Sequence, residues 1–168
     1  MGVRIITDSA SDFEAAVAKR RKIDIVPMTI QFGSAAFLAG KTLSNDVFYQ
    51  LLQEGRENPS TSQPAPAAFL QLFEEARRDG DQVVVILLSG VLSGTMQSAM
   101  IAKGMCGYES IYIIDSLTVS AGIQILVNYA CKLRDSGLPA AGIAEEVERL
   151  KDQVRVFAVV DTLEYLRR

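Results

Sequence analysis

The sequence predicts an α/β domain built on a mostly parallel β-sheet flanked by helices. Three observations carry this. Residues 83–88 read VVVILL, an unbroken apolar run of strand length and the pattern of a strand buried on both faces. Turns rich in glycine and serine follow the strand-like runs and open helix-like stretches, as in SGVLSGT at 89–95 and DSLTVS at 115–120. Strand-like and helix-like segments alternate along the chain, which puts helices between parallel strands.

Residues 4–7 form a first short strand, followed by Thr7-Asp8-Ser9 and a helix with Phe13, Ala16 and Val17 on one face. Ser11 and Glu14 have the spacing of a capping box for that helix. Residues 23–30 read as a second strand with Pro27 marking an edge or a bulge. The stretch 31–40, with Gly33, reads as a hairpin or an irregular excursion. A helix over 45–54 takes Ser44 as its cap and Val47, Phe48, Leu51 and Leu52 as its packed face. Residues 55–60 are expected to be polar loop. Pro66 suits the first turn of a helix that buries Phe69, Leu70 and Phe73 and stops near Gly80. The next helix opens at Ser93, read either as its cap or as part of an anion-binding turn, and runs to about Gly104. A strand over 110–114 leads into a helix buried through Ile123, Leu126, Val127 and Ala130, with Gly137 after its end. Pro139 opens another helix, carrying Ile143, Val147 and Leu150 at helical spacing and a Glu145–Arg149 pair. Residues 154–160 are expected to be a fifth strand, and Asp161 and Glu164 to cap a last helix.

With 168 residues, 49% of them hydrophobic, the chain is long enough for a domain with its own core. The net charge is −3 and the sequence is read as having no basic run, so a nucleic-acid phosphate backbone is not an expected partner. No apolar stretch reaches the ~20 residues of a membrane span, and MGVRIITDSA has no signal-peptide pattern. A cytoplasmic location is the expectation. Cys106 and Cys131 are expected to be buried free thiols. The chain has no histidine, so a Ser-His or Cys-His pair and a His-ligated zinc site are excluded within it. No metal, cofactor or catalytic residue is expected.

In a parallel sheet the carboxyl ends of the strands share one edge, so the hydroxyl turns should converge there. The candidate ligand-binding residues are Asp8, Ser9, Thr61, Ser62, Ser93, Gly94, Thr95 and Ser116. Neutral hydroxyls and the free N–H groups of helix starts suit a single carboxylate. Phosphate is less favoured, because the turns carry no lysine and no phosphate-loop motif. The competing reading is that each turn uses its hydroxyls for caps and local turns.

Taken in order, IITDSASD, TSQPAP, LSGTMQSA, IYIIDSLTVSAG and FAVVDTLEYLRR resemble the DegV family of bacterial lipid-binding proteins, end to end. The resemblance implies two α/β domains with a fatty acid between them. It implies a carboxylate held at Thr61 or Ser62 and at Ser93, and an acyl tail in an apolar tunnel of the first domain. It implies a non-catalytic carrier that presents a long-chain acid to a fatty acid kinase. On this reading residues 1–160 are the first domain and 161–168 lead into a second. That domain, a glycine-arginine segment before it and a histidine it contributes near the carboxylate are missing from this sequence. Apolar surface left exposed by its absence is expected to give self-association or a loosely packed last helix, with Leu163 and Leu166 partly exposed. Ala65 stands where the family often has serine, a poorer start for its helix. Two other functions are weighed. A sugar- or dihydroxyacetone-binding domain would commonly need a histidine. A serine hydrolase built on Ser93 would need a base, and Lys103 lies about three turns away.

Overall fold

The structure is a computed structural model that describes residues 2–55 and 57–160. Its first layer is a four-stranded, wholly parallel sheet in the order β2-β1-β6-β7. The strands are β1 (Val3–Asp8), β2 (Ile23–Val26), β6 (Gln82–Leu87) and β7 (Ile111–Asp115). Central β6 explains the arrangement. Val84 and Ile86 feed one core, while Val83, Val85 and Leu87 feed the other, so successive side chains serve opposite faces. All five are wholly buried.

Helices α1 (Ala15–Arg21), α5 (Ala121–Asp135) and α6 (Ala140–Lys151) cover one face. Helices α3 (Pro66–Asp79) and α4 (Thr95–Cys106) cover the other, with Phe69 and Phe73 wholly buried beneath them. Helix α3 starts on Pro66 and ends on Gly80 at φ 71°, a left-handed conformation suited to glycine. Beside β2 lies a second sheet, antiparallel, in the order β4-β3-β5, from β3 (Thr29–Phe32), β4 (Ala35–Leu38) and β5 (Ser60–Ser62). Helix α2 (Asn45–Glu54) leaves this sheet and returns to it.

The α/β class and the parallel sheet agree with the sequence. Several details do not. The single strand expected over 23–30 is two strands in two sheets, divided at Pro27, which has no N–H to donate to a ladder. The expected loop at 55–60 ends in β5, which pairs with β3. The Ser11–Glu14 capping box does not form. Ser11 donates to the Asp8 carbonyl at 2.7 Å, and Glu14 makes no side-chain cap bond. In α1 the buried residue is Ala18, while Ala16 is exposed. In α2 Val47 is exposed. Gly94, and not Ser93, is the N-cap of α4. Arg149 pairs with Glu146 rather than Glu145.

The fifth strand is absent. Residues 154–160 form no ladder and are largely exposed, Phe157 at 91% and Val159 at 99%. The Arg155 guanidinium turns back onto the carbonyls of Asp152 and Val154, and Val156 lies against Gly122 of α5. The chain therefore crosses the start of α5 instead of running beside β7. The expected helix over 161–168, with Leu163 and Leu166, lies outside the described residues. Cys106 and Cys131 are free and buried, as expected.

The reading that no basic run exists also needs correction. Lys19-Arg20-Arg21-Lys22 is one, at the end of α1. There the positive charge answers the helix dipole, and Arg134 hydrogen-bonds the carbonyls of Arg21 and Lys22.

Candidate functional site

Parallel pairing brings the ends of β1, β6 and β7 to one edge, where side chains tie the turns together. Asp8, ending β1, is wholly buried. One of its carboxylate oxygens accepts from Ala10 N at 2.9 Å and the other from Leu88 N at 2.7 Å. Burial pushes its pKa up, and this outweighs the two N–H bonds that pull it down; the nearby Asp12 adds to the rise. Ser116, ending β7, is also wholly buried. Its N–H bonds Leu87 O and its hydroxyl donates to Thr118 O. Asp115 accepts from Gly90 N and Leu117 N. Asp8 and Ser116 therefore build the edge and do not face outward from it. Thr7, wholly buried beside them, has a hydroxyl without a partner among the described residues.

The turn after β6 is held by Ser89, whose carbonyl accepts from Leu92 N and Ser93 N. The Ser93 hydroxyl lies 2.9 Å from that of Thr95 and accepts from Thr95 N at 3.2 Å. Ser93 is half-buried, whereas Thr95 is buried. β5 lies across from this turn. A Cβ placed on Gly94 would stand 2.6 Å from Gln63 Nε2, so the absence of a side chain at Gly94 lets Gln63 rest on the turn. Through that contact the stretch Thr61-Ser62-Gln63 meets Ser93-Gly94-Thr95. Nothing in the local sequence marks Gln63 for this place.

Beside the edge is a cavity of about 810 Å³, within the range of small-molecule sites. Ser9, Thr61 and Leu88 line it at the carboxyl edge, and Ile23, Ile25 and Ile30 are among its apolar walls. Ser9 Oγ accepts from Met28 N at 3.0 Å, and its hydroxyl hydrogen is left to donate elsewhere. Of the candidates, Ser9 and Thr61 line the cavity directly. Ser62, Ser93, Gly94 and Thr95 do not line it: Ser62 is exposed on β5, Ser93 and Gly94 are half-buried on the neighbouring turn with Gln63 against Gly94, and Thr95 is buried.

Asp12, which also lines the cavity, was not anticipated. It accepts from the Ser120 hydroxyl at 2.5 Å, across 108 residues of sequence. Ser120 itself sits at φ 52°, ψ −120°, a conformation costly for a side-chain-bearing residue. Its N–H bond to Ala10 O helps hold it there. Only the folded chain reveals this link, because nothing local marks Ser120 as different from other helix-start serines.

Among the described residues no group of three or more His, Cys, Asp or Glu could hold a metal ion. No helix among them is long and apolar enough to cross a membrane.

Known proteins resemble the chain in both sequence and fold. A DegV domain-containing protein of Caldanaerobacter subterraneus is 34% identical over 166 residues, 99% of this chain and 59% of its own length. One from Deinococcus radiodurans is 33% identical, again over 99% of this chain and 59% of its own. The chain thus spans about 59% of the length of these relatives. A fatty-acid-binding DegV family protein of Thermus thermophilus superposes with a TM-score of 0.82 at 30% identity, covering 90% of this chain and 54% of that one. DegV of Bacillus subtilis, a fatty acid binding protein, gives 0.83 at 26% identity, with the same coverage of 90% and 54%. The Streptococcus pneumoniae Fatty Acid Kinase (Fak) B3 protein, loaded with linoleic acid, gives 0.77 at 25% identity, covering 90% and 55%. The model of an uncharacterised protein family, DegV, matches residues 2–168, and the chain belongs to that family.

Proposed function

We propose that this chain binds a long-chain fatty acid and carries it without catalysing a reaction on it. The carboxylate is held at the carboxyl edge by Ser9, by Thr61 of the Thr61-Ser62 pair, and by Ser93 from the adjoining turn, and the tail lies in the cavity. One observation carries the reading: an 810 Å³ cavity with mainly apolar walls that reaches hydroxyls at the sheet edge. Burying an acyl tail there, at ~0.8 kcal/mol per CH₂, supplies most of the affinity, and the hydroxyls orient the head. The related proteins named above as fatty-acid-binding support the same ligand class. The proposal extends to presenting the acid to a fatty acid kinase, which would make the acyl-phosphate, and to a second domain closing over the head.

A polyol site fits the apolar walls poorly. A hydrolase built on Ser93 lacks a histidine base, and its hydroxyl already pairs with Thr95.

Delipidated protein mixed with a C16–C18 acid is expected to show one bound acid by native mass spectrometry. A hydrogen bond to a charged group is worth ~1.5–3 kcal/mol, so Ser93→Ala and Thr61→Ala should each weaken binding by roughly 10- to 100-fold. Unchanged affinity in both variants would remove these hydroxyls from the head site. Absence of binding at any chain length would remove the ligand class.

The exposed segment 154–160 bears on the second-domain proposal. Phe157 and Val159 stand in solvent, and exposed apolar surface tends to find a partner where it gathers into a patch. Sedimentation over a concentration series is expected to show self-association of the 168-residue chain, relieved by Phe157→Ser with Val159→Ser. A strict monomer at every concentration would count against a covered face.

A further inference from the structure

We propose that α2 is a hinged cover over the cavity, which lets the acyl chain in and out sideways between α1 and α2, with Phe48 as its latch. The proposal rests on the fatty-acid reading for what passes, but not for the hinge itself. Helices α3 to α6 each anchor themselves with several buried residues, whereas α2 has none. Its inward side chains Phe48, Leu51 and Leu52 are half-buried, and Tyr49 is 59% exposed. A helix that buries so little opens locally at a small fraction of the cost of global unfolding. The bonds at its start are local too. Ser44 Oγ accepts from Val47 N, and Ser44 O accepts from Phe48 N.

Both ends suit a hinge. On the N-terminal side Leu43 is 4% exposed, and Leu38 N donates to Thr42 Oγ1, so the lead-in is anchored up to Leu43, where the buried contacts of this segment end. On the C-terminal side Gly55 has φ 64°, and by Glu57 the chain already rests on Gly33 at the turn between β3 and β4. Such backbone freedom at the end of a helix is glycine's property.

The position of α2 gives the hinge a use. Ser44, Asn45, Phe48 and Tyr49 line the cavity from α2 and its lead-in, and Ala15 and Ala18 line it from α1. One specific contact closes the cover. The Phe48 ring meets the buried Phe32 ring edge-on, with centroids 5.7 Å apart and planes at 62°, a favourable aromatic geometry. Phe32 is not among the cavity-lining residues, so the latch can be weakened without altering the cavity wall.

Amide hydrogen exchange on the ligand-free chain is expected to run at least about 100-fold faster over 47–54 than over 123–130 of α5. A saturating C18 acid should slow the α2 amides and leave those of α5 unchanged. With cis-parinaric acid as the probe in stopped flow, Phe32→Leu should raise uptake and release rates together, about tenfold, with Kd moving less than threefold. A purely structural role would not raise the uptake rate. The proposal is overturned if the ligand-free α2 amides are as protected as those of α5, or if Phe32→Leu leaves uptake unchanged. If no acid binds, the fatty-acid reading fails while exchange in the ligand-free chain still decides the hinge.

Discussion

Replacing Ala15 by tryptophan is expected to lower affinity for a C16–C18 acid by roughly 100-fold while leaving the fold intact. Ala15 is the first residue of α1, is exposed, and lines the cavity. An indole placed there takes the volume of about three or four methylenes, and at ~0.8 kcal/mol for each CH₂ denied its burial the loss is about 3 kcal/mol. The fold should tolerate the change, because the helix-propensity difference between Ala and Trp at an exposed site is only about 0.5 kcal/mol. Ala16 is the control. It is the next residue of α1 and exposed, but it does not line the cavity. Ala16→Trp should therefore bind as the unaltered chain does. The chain has no tryptophan of its own, so each introduced indole also reports the ligand by fluorescence. Equal affinities for the two variants would place the tail elsewhere.

The cavity that this substitution tests was not legible in the sequence, although much around it was. Central β6 and the span of α3 follow from local features: an apolar run too regular for a surface strand, a proline at the start and a glycine at the end. The Ser44 cap of α2 was equally local. β5 was missed because Ser60, Thr61 and Ser62 are all exposed and carry no strand pattern; the edge of β3 makes them a strand. Residues 154–160 fail in the opposite direction. Their β propensity is high, but propensity reflects fit to a sheet surface, and here the chain turns across α5 with no ladder to join. The hydroxyls of the candidate site were visible as residues, and their division of labour was not. Whether a serine faces a cavity, as Ser9 does, or closes a turn inside the protein, as Ser116 does, depends on contacts with residues far away in sequence. The cavity itself is walled by α1, β2, β3 and the lead-in to α2, so no single stretch announces it.

The same long-range logic makes Asp8→Ala the most disruptive single change expected at the sheet edge. Its carboxylate is the acceptor for Leu88 N, a buried bond spanning 80 residues, and for Ala10 N. Alanine leaves both donors without an acceptor. A buried unpaired group costs ~1–3 kcal/mol, the half-buried Ala10 N–H less, and relief from burying a charge offsets part of the loss. A net destabilisation of about 2–4 kcal/mol at neutral pH follows, which for a chain of this size lowers Tm by roughly 10 °C. Asparagine is a poor rescue, since it offers one acceptor oxygen where two are used and points an NH₂ at the other donor. The pH dependence separates this account from a generic packing defect. Burial raises the folded-state pKa of Asp8 above its ordinary 3.8, so between that value and the raised one the folded state binds the proton that the unfolded state has lost. Stability from this group is therefore fully present below the ordinary value and declines as pH rises through the raised one. The stability gap between the unaltered chain and Asp8→Ala should accordingly be widest near pH 3 and narrow toward pH 7, as read by urea denaturation at each pH. A gap that instead widens with pH would mean that the N–H bonds outweigh burial and hold Asp8 ionised. Because Ser9, Ala10 and Leu88 all line the cavity, Asp8→Ala should also loosen its polar end and weaken acid binding even at temperatures where the variant is fully folded.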